Sequence, residues 1–153
     1  MNPESKLQTF LWYQEGLDEA LAFYAETFGD VIIRGTEIGP DGSLFTADFQ
    51  IFGRDFIGMC MRYEQGPVFN DAVSIMIQCE DQTEIDRYWD ALTAEGEAIA
   101  CGWCRDKWGV TWQIVPRNLR EFLSHPDVEK RAAISAQFRT MKKIVVEELS
   151  ALA

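Results

Sequence analysis

The chain is poor in histidine and in positive charge. Its 153 residues include one histidine, His125, and 14 Lys and Arg side chains against 25 Asp and Glu, for a net charge of −11. Sequence-independent binding to nucleic acid or to an anionic membrane requires a basic surface, so this balance argues against both kinds of partner. The acidic field would also fail to steer strongly anionic substrates inward.

Long apolar runs, targeting segments and low-complexity linkers are also missing. No apolar stretch approaches the length of a membrane-spanning helix, and residues 1–6 are not followed by the hydrophobic region of a signal peptide. We therefore expect a cytoplasmic protein with no membrane partner. In that compartment its four cysteines are thiols rather than a disulfide framework.

The composition is that of an ordinary globular protein, with 47% hydrophobic and 25% charged residues. A chain of this length forms one domain, spanning residues 1–153, and buries a core large enough that it needs no disulfide or structural metal for stability.

The chain repeats one order of elements. The first copy covers residues 7–63 and predicts a strand, a helix and three strands, over 7–13, 18–28, 31–38, 43–52 and 56–63. The second copy covers 72–116 and predicts a strand over 72–79, a helix over 81–95, an extended segment over 97–105 and a last strand over 110–115. It is shorter than the first, so one hairpin is trimmed. A helical tail, 117–153, follows.

Helix boundaries carry their own signals. Asp81 followed by Glu84 is typical of a capping box at the start of the second helix. Gly29 and Gly96 end the two helices, and Gly29 is placed to adopt a left-handed C-terminal conformation. In the tail, helices are predicted over 119–123 and 127–141, with a last turn over 147–152.

The last strand contains a polar residue among apolar ones. A turn over Asp106–Gly109, with Gly109 available for a positive φ, leads into it. Alternation places Thr111, Gln113 and Val115 on one face and Val110, Trp112 and Ile114 on the other. A buried Gln without a partner is costly, so Gln113 either lines a cavity or is held by a hydrogen bond.

The sequence Cys101-Gly-Trp-Cys104 has the spacing of a redox motif. In redox proteins such a motif opens a helix, whereas here it lies in a segment predicted to be extended. Residues i and i+3 on a strand face opposite sides, so the two sulfurs would not meet. We expect both thiols to stay reduced and to play a structural role.

The closing segment, residues 101–116, resembles that of PhnB-like proteins, a branch of the glyoxalase/bleomycin resistance/dioxygenase (vicinal oxygen chelate) superfamily. Other segments of the sequence resemble the same family: Ala20-Leu-Ala-Phe-Tyr24 before Phe28, Phe69-Asn-Asp-Ala-Val-Ser74, Asp86-Arg-Tyr-Trp-Asp-Ala-Leu92 and Met141-Lys-Lys-Ile144. The resemblance covers nearly the whole chain. It implies an α+β fold of two βαβββ-type units that form a curved, mostly antiparallel sheet around a cavity, with C-terminal helices. It also implies a homodimer.

The superfamily holds a divalent metal with side chains from the first and last strands of each unit. Carried onto this chain, those positions fall on Phe10, on a Met or Gly within 56–63, on Ser74 and on Gln113. This set offers no charge to offset the desolvation of a divalent cation. We therefore expect no metal and no other cofactor, and the resemblance then implies a cavity with Phe10, Trp12, Ser74 and Gln113 on its wall.

The expected function is the binding or sequestering of a small, largely apolar molecule, as in antibiotic-binding relatives. The alternative is a metal-dependent lyase, isomerase or dioxygenase of the same superfamily, and a structural dimer without a ligand is a third class. Some relatives carry a demethylubiquinone methyltransferase label. A methyltransferase of the common nucleotide-binding type needs a Gly-rich loop after an early strand, but the chain has Gln14-Glu-Gly-Leu-Asp18 there, so this label does not suit the sequence.

Overall fold

The computed structural model describes residues 5–153, and their contacts divide the chain into two compact units. The first unit ends at Phe69, and the second comprises Asn70–Ala153. Each unit contains its own four-stranded sheet. The structure confirms the predicted α+β fold, although the strands form two separate mixed sheets.

The first unit has one helix and four strands: β1 (Thr9–Tyr13), α1 (Leu17–Phe28), β2 (Val31–Ile38), β3 (Leu44–Ile51) and β4 (Arg54–Cys60). The strand order across the sheet is β1-β4-β3-β2. β1 pairs with β4 in parallel, and the other two pairings are antiparallel. The parallel pair follows from the helix crossover, because α1 carries the chain back over the sheet before the hairpins begin.

One face of this sheet packs against α1. Leu11 and Tyr13 are buried on that face, as are Phe49 and Phe56, whose rings stack with centroids 5.4 Å apart. Gly58 allows the close approach of the helix, because a Cβ there would lie 2.6 Å from a methyl carbon of Leu17. The helix ends as predicted, at Gly29 with φ 77°.

The second unit repeats the arrangement with shorter hairpin strands: β5 (Ile75–Cys79), α2 (Gln82–Ala94), β6 (Glu97–Ala98), β7 (Trp103–Arg105) and β8 (Thr111–Pro116). The strand order is β5-β8-β7-β6, and β5 pairs with β8 in parallel. The order matches that of the first sheet strand for strand. The predicted trimming of one hairpin is visible in β6 and β7, which contain two and three residues.

The predicted capping box begins α2. The side chain of Asp81 accepts a hydrogen bond from the backbone N–H of Glu84 at 2.9 Å, and Glu84 accepts one from the N–H of Glu80 at 2.9 Å. The helix buries an apolar stripe that consists of Ile85, Tyr88, Trp89 and Leu92. Trp112 and Ile114 of β8, both fully buried, lie on the opposite face of the sheet from Gln113.

The prediction of one extended segment over 97–105 is wrong, because a tight turn divides it into β6 and β7. Cys101 and Gly102 occupy the turn with φ of 56° and 82°, and the N–H of Trp103 donates to the carbonyl of Ala100 at 2.9 Å. Positive φ at both central residues is the pattern of a type I′ hairpin turn. Cys101 therefore does not lie on a strand.

The tail forms α3 (Leu119–Leu123), α4 (Val128–Thr140) and α5 (Val146–Ser150). It packs against Val115 of β8 in an apolar cluster, whose other buried members are Phe122, Ile134, Met141, Ile144 and Leu149. Its carbonyls at Met141 and Lys142 accept the N–H groups of Cys101 and Gly102 at 2.8 and 2.9 Å. The tail thus supplies the partners that this turn requires. No helix among residues 5–153 is long and apolar enough to cross a membrane.

Candidate functional site

Gln113 lies in the middle of β8, where it is paired with Met76 of β5 and with Trp103 of β7. Its side-chain amide donates a hydrogen bond of 2.8 Å to the hydroxyl oxygen of Ser74. Gln113 was expected either to line a cavity or to be held by a hydrogen bond, and the structure shows the hydrogen bond. Both side chains are partly exposed. Ser74 lies just before β5 rather than in it, because β5 begins at Ile75.

A second polar group lies on the same face of this sheet. Thr111 shares the parity of Gln113 on β8, and Arg105 is the partner of Thr111 in the β7–β8 register. The guanidinium of Arg105 forms ion pairs with Asp71 and Glu97, and the hydroxyl of Thr111 donates to Asp71 at 2.7 Å. We call Asp71, Glu97, Arg105 and Thr111 the acidic clamp.

The sequence alone did not predict the acidic clamp. Hydrogen bonds from Arg105, and then from Thr111, lower the pKa of Asp71 below its ordinary value, and the two carboxylates raise the pKa of Arg105. The charge of Arg105 is therefore shared between two carboxylates. The parity of Arg105, Thr111 and Gln113 was a usable signal, but nothing local linked Arg105 to Asp71, 34 residues away.

The acidic clamp predicts an acid-dependent contribution to stability. Because the folded-state pKa of Asp71 lies below 3.8, this contribution is present above the unfolded-state pKa and is lost as pH falls through the folded-state pKa. We expect Asp71→Asn to lower the free energy of unfolding at pH 7, and its deficit relative to wild type to shrink below about pH 4. Urea denaturation across pH measures the deficit. Asp30→Asn, at an exposed position, is the control, and a deficit independent of pH would contradict the assignment.

In the first unit, Phe10 and Trp12 share one face of β1, because alternate residues of a strand face the same side. Phe10 is 56% exposed, whereas Leu11 and Tyr13 are buried on the other face. Trp12 is half-buried, and its indole N–H donates to the carbonyl of Met61 at 2.8 Å. The ring of Phe10 is thus presented to solvent, and that of Trp12 is fixed in orientation.

A family model described as 3-demethylubiquinone-9 3-methyltransferase matches residues 5–115. The chain belongs to this family. The match covers both sheets except for the last residue of β8, and the helical tail lies beyond it. A comparison with curated protein sequences finds no significant match.

Solved structures agree with this assignment and with the fold. A Bacillus cereus protein, whose title names a PhnB protein and 3-demethylubiquinone-9 3-methyltransferase, is 26% identical with a TM-score of 0.68, covering 73% of this chain and 99% of its own. The protein PA1353 from Pseudomonas aeruginosa is 15% identical with a TM-score of 0.62, covering 74% and 98%. The fosfomycin resistance protein FosX from Listeria monocytogenes, complexed with Mn(II) and sulfate, is 20% identical with a TM-score of 0.53, covering 78% and 98%. The last two show the fold alone. This PhnB-like chain has the fold of the vicinal oxygen chelate superfamily.

The residues of this PhnB-like protein do not fit the metal of the superfamily. Phe10 has no donor atom, and the hydroxyl oxygen of Ser74 already accepts a hydrogen bond from Gln113. β4 begins two residues earlier than predicted and so contains one carboxylate, Asp55. Asp55 is buried and accepts a hydrogen bond of 2.6 Å from Gln50. Within residues 5–153, no three His, Cys, Asp or Glu side chains are grouped to hold a metal ion.

The thiols of the Cys101–Cys104 pair have different surroundings. Cys104 is fully buried on β7, and its burial, together with the charge of Asp106, raises the pKa of its thiol to about 12. Cys101 is partly exposed, and its sulfur contacts the carbonyl oxygen of Phe138 at 3.6 Å. A thiol with a pKa near 12 is almost entirely protonated at neutral pH, which does not suit redox exchange. The expectation that both cysteines stay reduced remains a prediction.

The first unit of this PhnB-like protein also contains a groove of about 560 Å³ that the sequence did not indicate. Gln14 holds one wall, since its side chain accepts from the N–H of Tyr63 at 3.0 Å and donates to the carbonyl of Pro67 at 2.9 Å. The groove is lined by Gln14, Glu15, Arg62, Tyr63, Glu64, Gly66 and Val68. Its lining does not include Phe10 or Trp12.

Proposed function

We propose that this protein binds a small, largely apolar molecule beside Gln113 on the second sheet, with Ser74 and Gln113 as the polar anchor. The Ser74–Gln113 hydrogen bond is the observation that carries the proposal. Because the amide of Gln113 donates to Ser74, the hydroxyl hydrogen of Ser74 and the carbonyl oxygen of Gln113 are left, among the described residues, for a further partner. A donor and an acceptor therefore lie side by side.

The surroundings of the anchor support an apolar ligand. Met76, which is 49% exposed, and Trp103, which is half-buried, are its register neighbours on either side. Ligand sites are mostly apolar with a few placed polar groups, and this face has that composition. In the first unit, considered by itself, we propose Phe10 and Trp12 as ligand contacts, since the face that they share includes an exposed aromatic ring.

Two enzymatic alternatives have less support. A metal-dependent lyase, isomerase or dioxygenase needs carboxylate or imidazole ligands, and Phe10, Ser74 and Gln113 supply neither. The methyltransferase named in the family description remains a candidate because the family match favours it. Against it, the residue between β1 and α1 that adopts a positive φ is the single Gly16, and Gln14 next to it is committed to the carbonyl of Pro67 and the N–H of Tyr63.

We expect Gln113→Leu to weaken ligand binding while leaving the fold intact. Loss of the anchor costs about 1–3 kcal/mol, which is roughly 5- to 150-fold in dissociation constant. Suitable probes are a short-chain ubiquinone, a naphthoquinone and a naphthol, which are flat and apolar with one or two oxygens. Quenching of tryptophan fluorescence measures their binding. Leu is similar to Gln in volume and apolar, so the melting temperature should change little.

The matched control is Gln137→Leu, the same change of side chain on α4. Ser74→Ala should weaken binding by a similar factor, and the double variant should lose less than the sum because the two residues act as one anchor. Unchanged binding by Gln113→Leu would remove this site from the proposal, and failure of all three probes to bind would overturn the binding function. Transfer of a methyl group from S-adenosylmethionine to a demethylated quinol would favour the enzymatic alternative.

A further inference from the structure

The groove of the first unit lies between two loops that are fastened to each other. One loop joins β1 to α1, and the other follows β4 over residues 61–69. The backbone N–H of Met61 donates to the carbonyl of Tyr13 at 3.0 Å, and the indole N–H of Trp12 donates to the carbonyl of Met61 at 2.8 Å. The side chain of Gln14 adds its two hydrogen bonds further along the second loop. The walls of the groove are therefore held in place before any ligand arrives.

Close packing at Gly66 supports the same conclusion. Its N–H donates to the carbonyl of Tyr63 at 2.8 Å, which closes a turn in the second loop. A Cβ on Gly66 would lie 2.5 Å from the side-chain nitrogen of Gln14, so the turn and the side chain are in tight contact. The volume of about 560 Å³ is in the range of small-molecule sites.

The lining of the groove contains charges of both signs. Glu15, Arg62 and Glu64 line it, and all three side chains are exposed. Within residues 5–153, none of the three forms an ion pair or a side-chain hydrogen bond. A guanidinium and two carboxylates are thus available to a ligand.

The same groove presents apolar surface. Tyr63 and Val68 line it, and they are 61% and 76% exposed. Exposed apolar groups that adjoin polar ones are typical of interaction sites. A ligand of this groove therefore combines an apolar part with charged groups.

We propose that this groove binds a small apolar zwitterion, a molecule with a free ammonium group, a free carboxylate and an apolar side chain. The guanidinium of Arg62 binds the carboxylate, and Glu15 and Glu64 bind the ammonium group. Tyr63 and Val68 contact the apolar side chain. An apolar amino acid and a short apolar peptide share this chemistry.

Ligands with a single sign of charge fit the groove less well. A diamine would meet the positive charge of Arg62, and a dicarboxylate would meet the carboxylates of Glu15 and Glu64. A zwitterion has no net charge, so the net charge of −11 on the chain does not repel it. All of these residues belong to the first unit, so the proposal does not rest on the ligand site of the second unit.

The test is amide NMR of the isotope-labelled full chain, titrated with leucine and with three compounds that each lack one of its features. Leucinamide lacks the carboxylate, N-acetylleucine lacks the ammonium group, and glycine lacks the apolar side chain. We expect leucine to shift the signals of residues 14–15 and 62–68, with a dissociation constant in the millimolar range. Each of the three compounds should bind about fivefold more weakly or worse, since contacts at exposed charges are modest. Tighter binding of leucylleucine than of leucine would identify a peptide as the ligand, and the reverse order a free amino acid. Either order supports the proposal.

Charge-removing variants assign the contacts. Arg62→Gln should weaken the binding of leucine about fivefold and leave that of leucinamide unchanged, because leucinamide has no carboxylate to lose. The double variant Glu15→Gln/Glu64→Gln should weaken leucine but not N-acetylleucine. Arg54→Gln, the same change at the exposed start of β4, is the control and should have no effect.

The ligand series uses the unchanged chain, so it decides the question even if a variant fails to fold. Leucinamide or N-acetylleucine that binds as tightly as leucine overturns the proposal. Absence of shifts at residues 14–15 and 62–68 with both leucine and leucylleucine overturns it as well. An Arg62→Gln chain that loses leucine and leucinamide equally contradicts the role of Arg62 as the carboxylate partner.

Discussion

Replacing Asp106 with Ala is expected to lower the free energy of unfolding by about 3 kcal/mol or more, because several buried donors lose one acceptor at about 1–3 kcal/mol each. One carboxylate oxygen accepts from the backbone N–H groups of Trp108 and Val110, each at 3.0 Å. The other accepts from the indole N–H of Trp112 at 2.9 Å. Asp106 is 3% exposed, and Trp112 is fully buried. Water therefore has little access to replace the lost acceptor.

Urea unfolding monitored by tryptophan fluorescence measures this loss. Asp106→Asn keeps one acceptor oxygen and should fall between wild type and Ala. Asp41→Ala is the matched control, because Asp41 also holds a turn, through the N–H and hydroxyl of Ser43, but is exposed to solvent. We expect that control to cost about 1 kcal/mol or less. Equal losses at Asp41 and Asp106 would show that burial of the network does not determine its contribution.

Much of the fold was predictable because its signals are local. Alternation in β1 separated Phe10 from Leu11 and Tyr13, since successive residues on a strand face opposite sides. The capping box of α2 needs only residues within one turn of each other, and the structure contains it. The predicted positive φ of Gly109 is likewise a property of its own turn, with φ 93°.

The turn at Cys101 and Gly102 was not predictable on the same basis. Asn-Gly and Asp-Gly are the usual signals for a hairpin turn with two positive φ values, and Cys-Gly is not among them. Carbonyls from residues 141 and 142 accept the N–H groups of both turn residues, about 40 positions along the chain. A Cβ on Gly102 would lie 2.7 Å from the carbonyl oxygen of Ile114, so glycine is required by packing as well. Tertiary contacts thus determine a turn in a segment for which the local sequence predicts an extended conformation.

The candidate site was predictable in part, for the same physical reason. An isolated Gln among apolar strand residues must find a partner, and this argument selected Gln113, as did the family resemblance. Its partner Ser74 was one of few uncharged polar groups near a strand of the same copy. The acidic clamp could not be predicted, because Asp71, Arg105 and Glu97 are indistinguishable in the sequence from ordinary surface charges. Only the fold brings them together.

Gly96→Ala is expected to destabilise the second unit by about 3 kcal/mol or more, at the upper end of the cost of overpacking. Gly96 lies between α2 and β6. A Cβ there would lie 2.5 Å from the carbonyl oxygen of Leu92 and well inside van der Waals contact with the carbonyl oxygen of Arg105. Both neighbours are backbone atoms, so no side-chain rotation relieves the clash. The end of α2 must move away from β7, or the helix must shorten.

Movement of α2 away from β7 in Gly96→Ala has a second consequence, which a general loss of stability would not produce. Arg105 is the central residue of the acidic clamp, so moving its backbone weakens its ion pairs with Asp71 and Glu97. The acid-dependent part of the unfolding free energy should then be smaller in Gly96→Ala than in wild type. Gly35→Ala is the control, because a Cβ there has no atom within 4 Å. We expect that control to stay within about 0.5 kcal/mol of wild type. A Gly96→Ala protein with wild-type stability and wild-type acid dependence would contradict the packing of β7 against the end of α2.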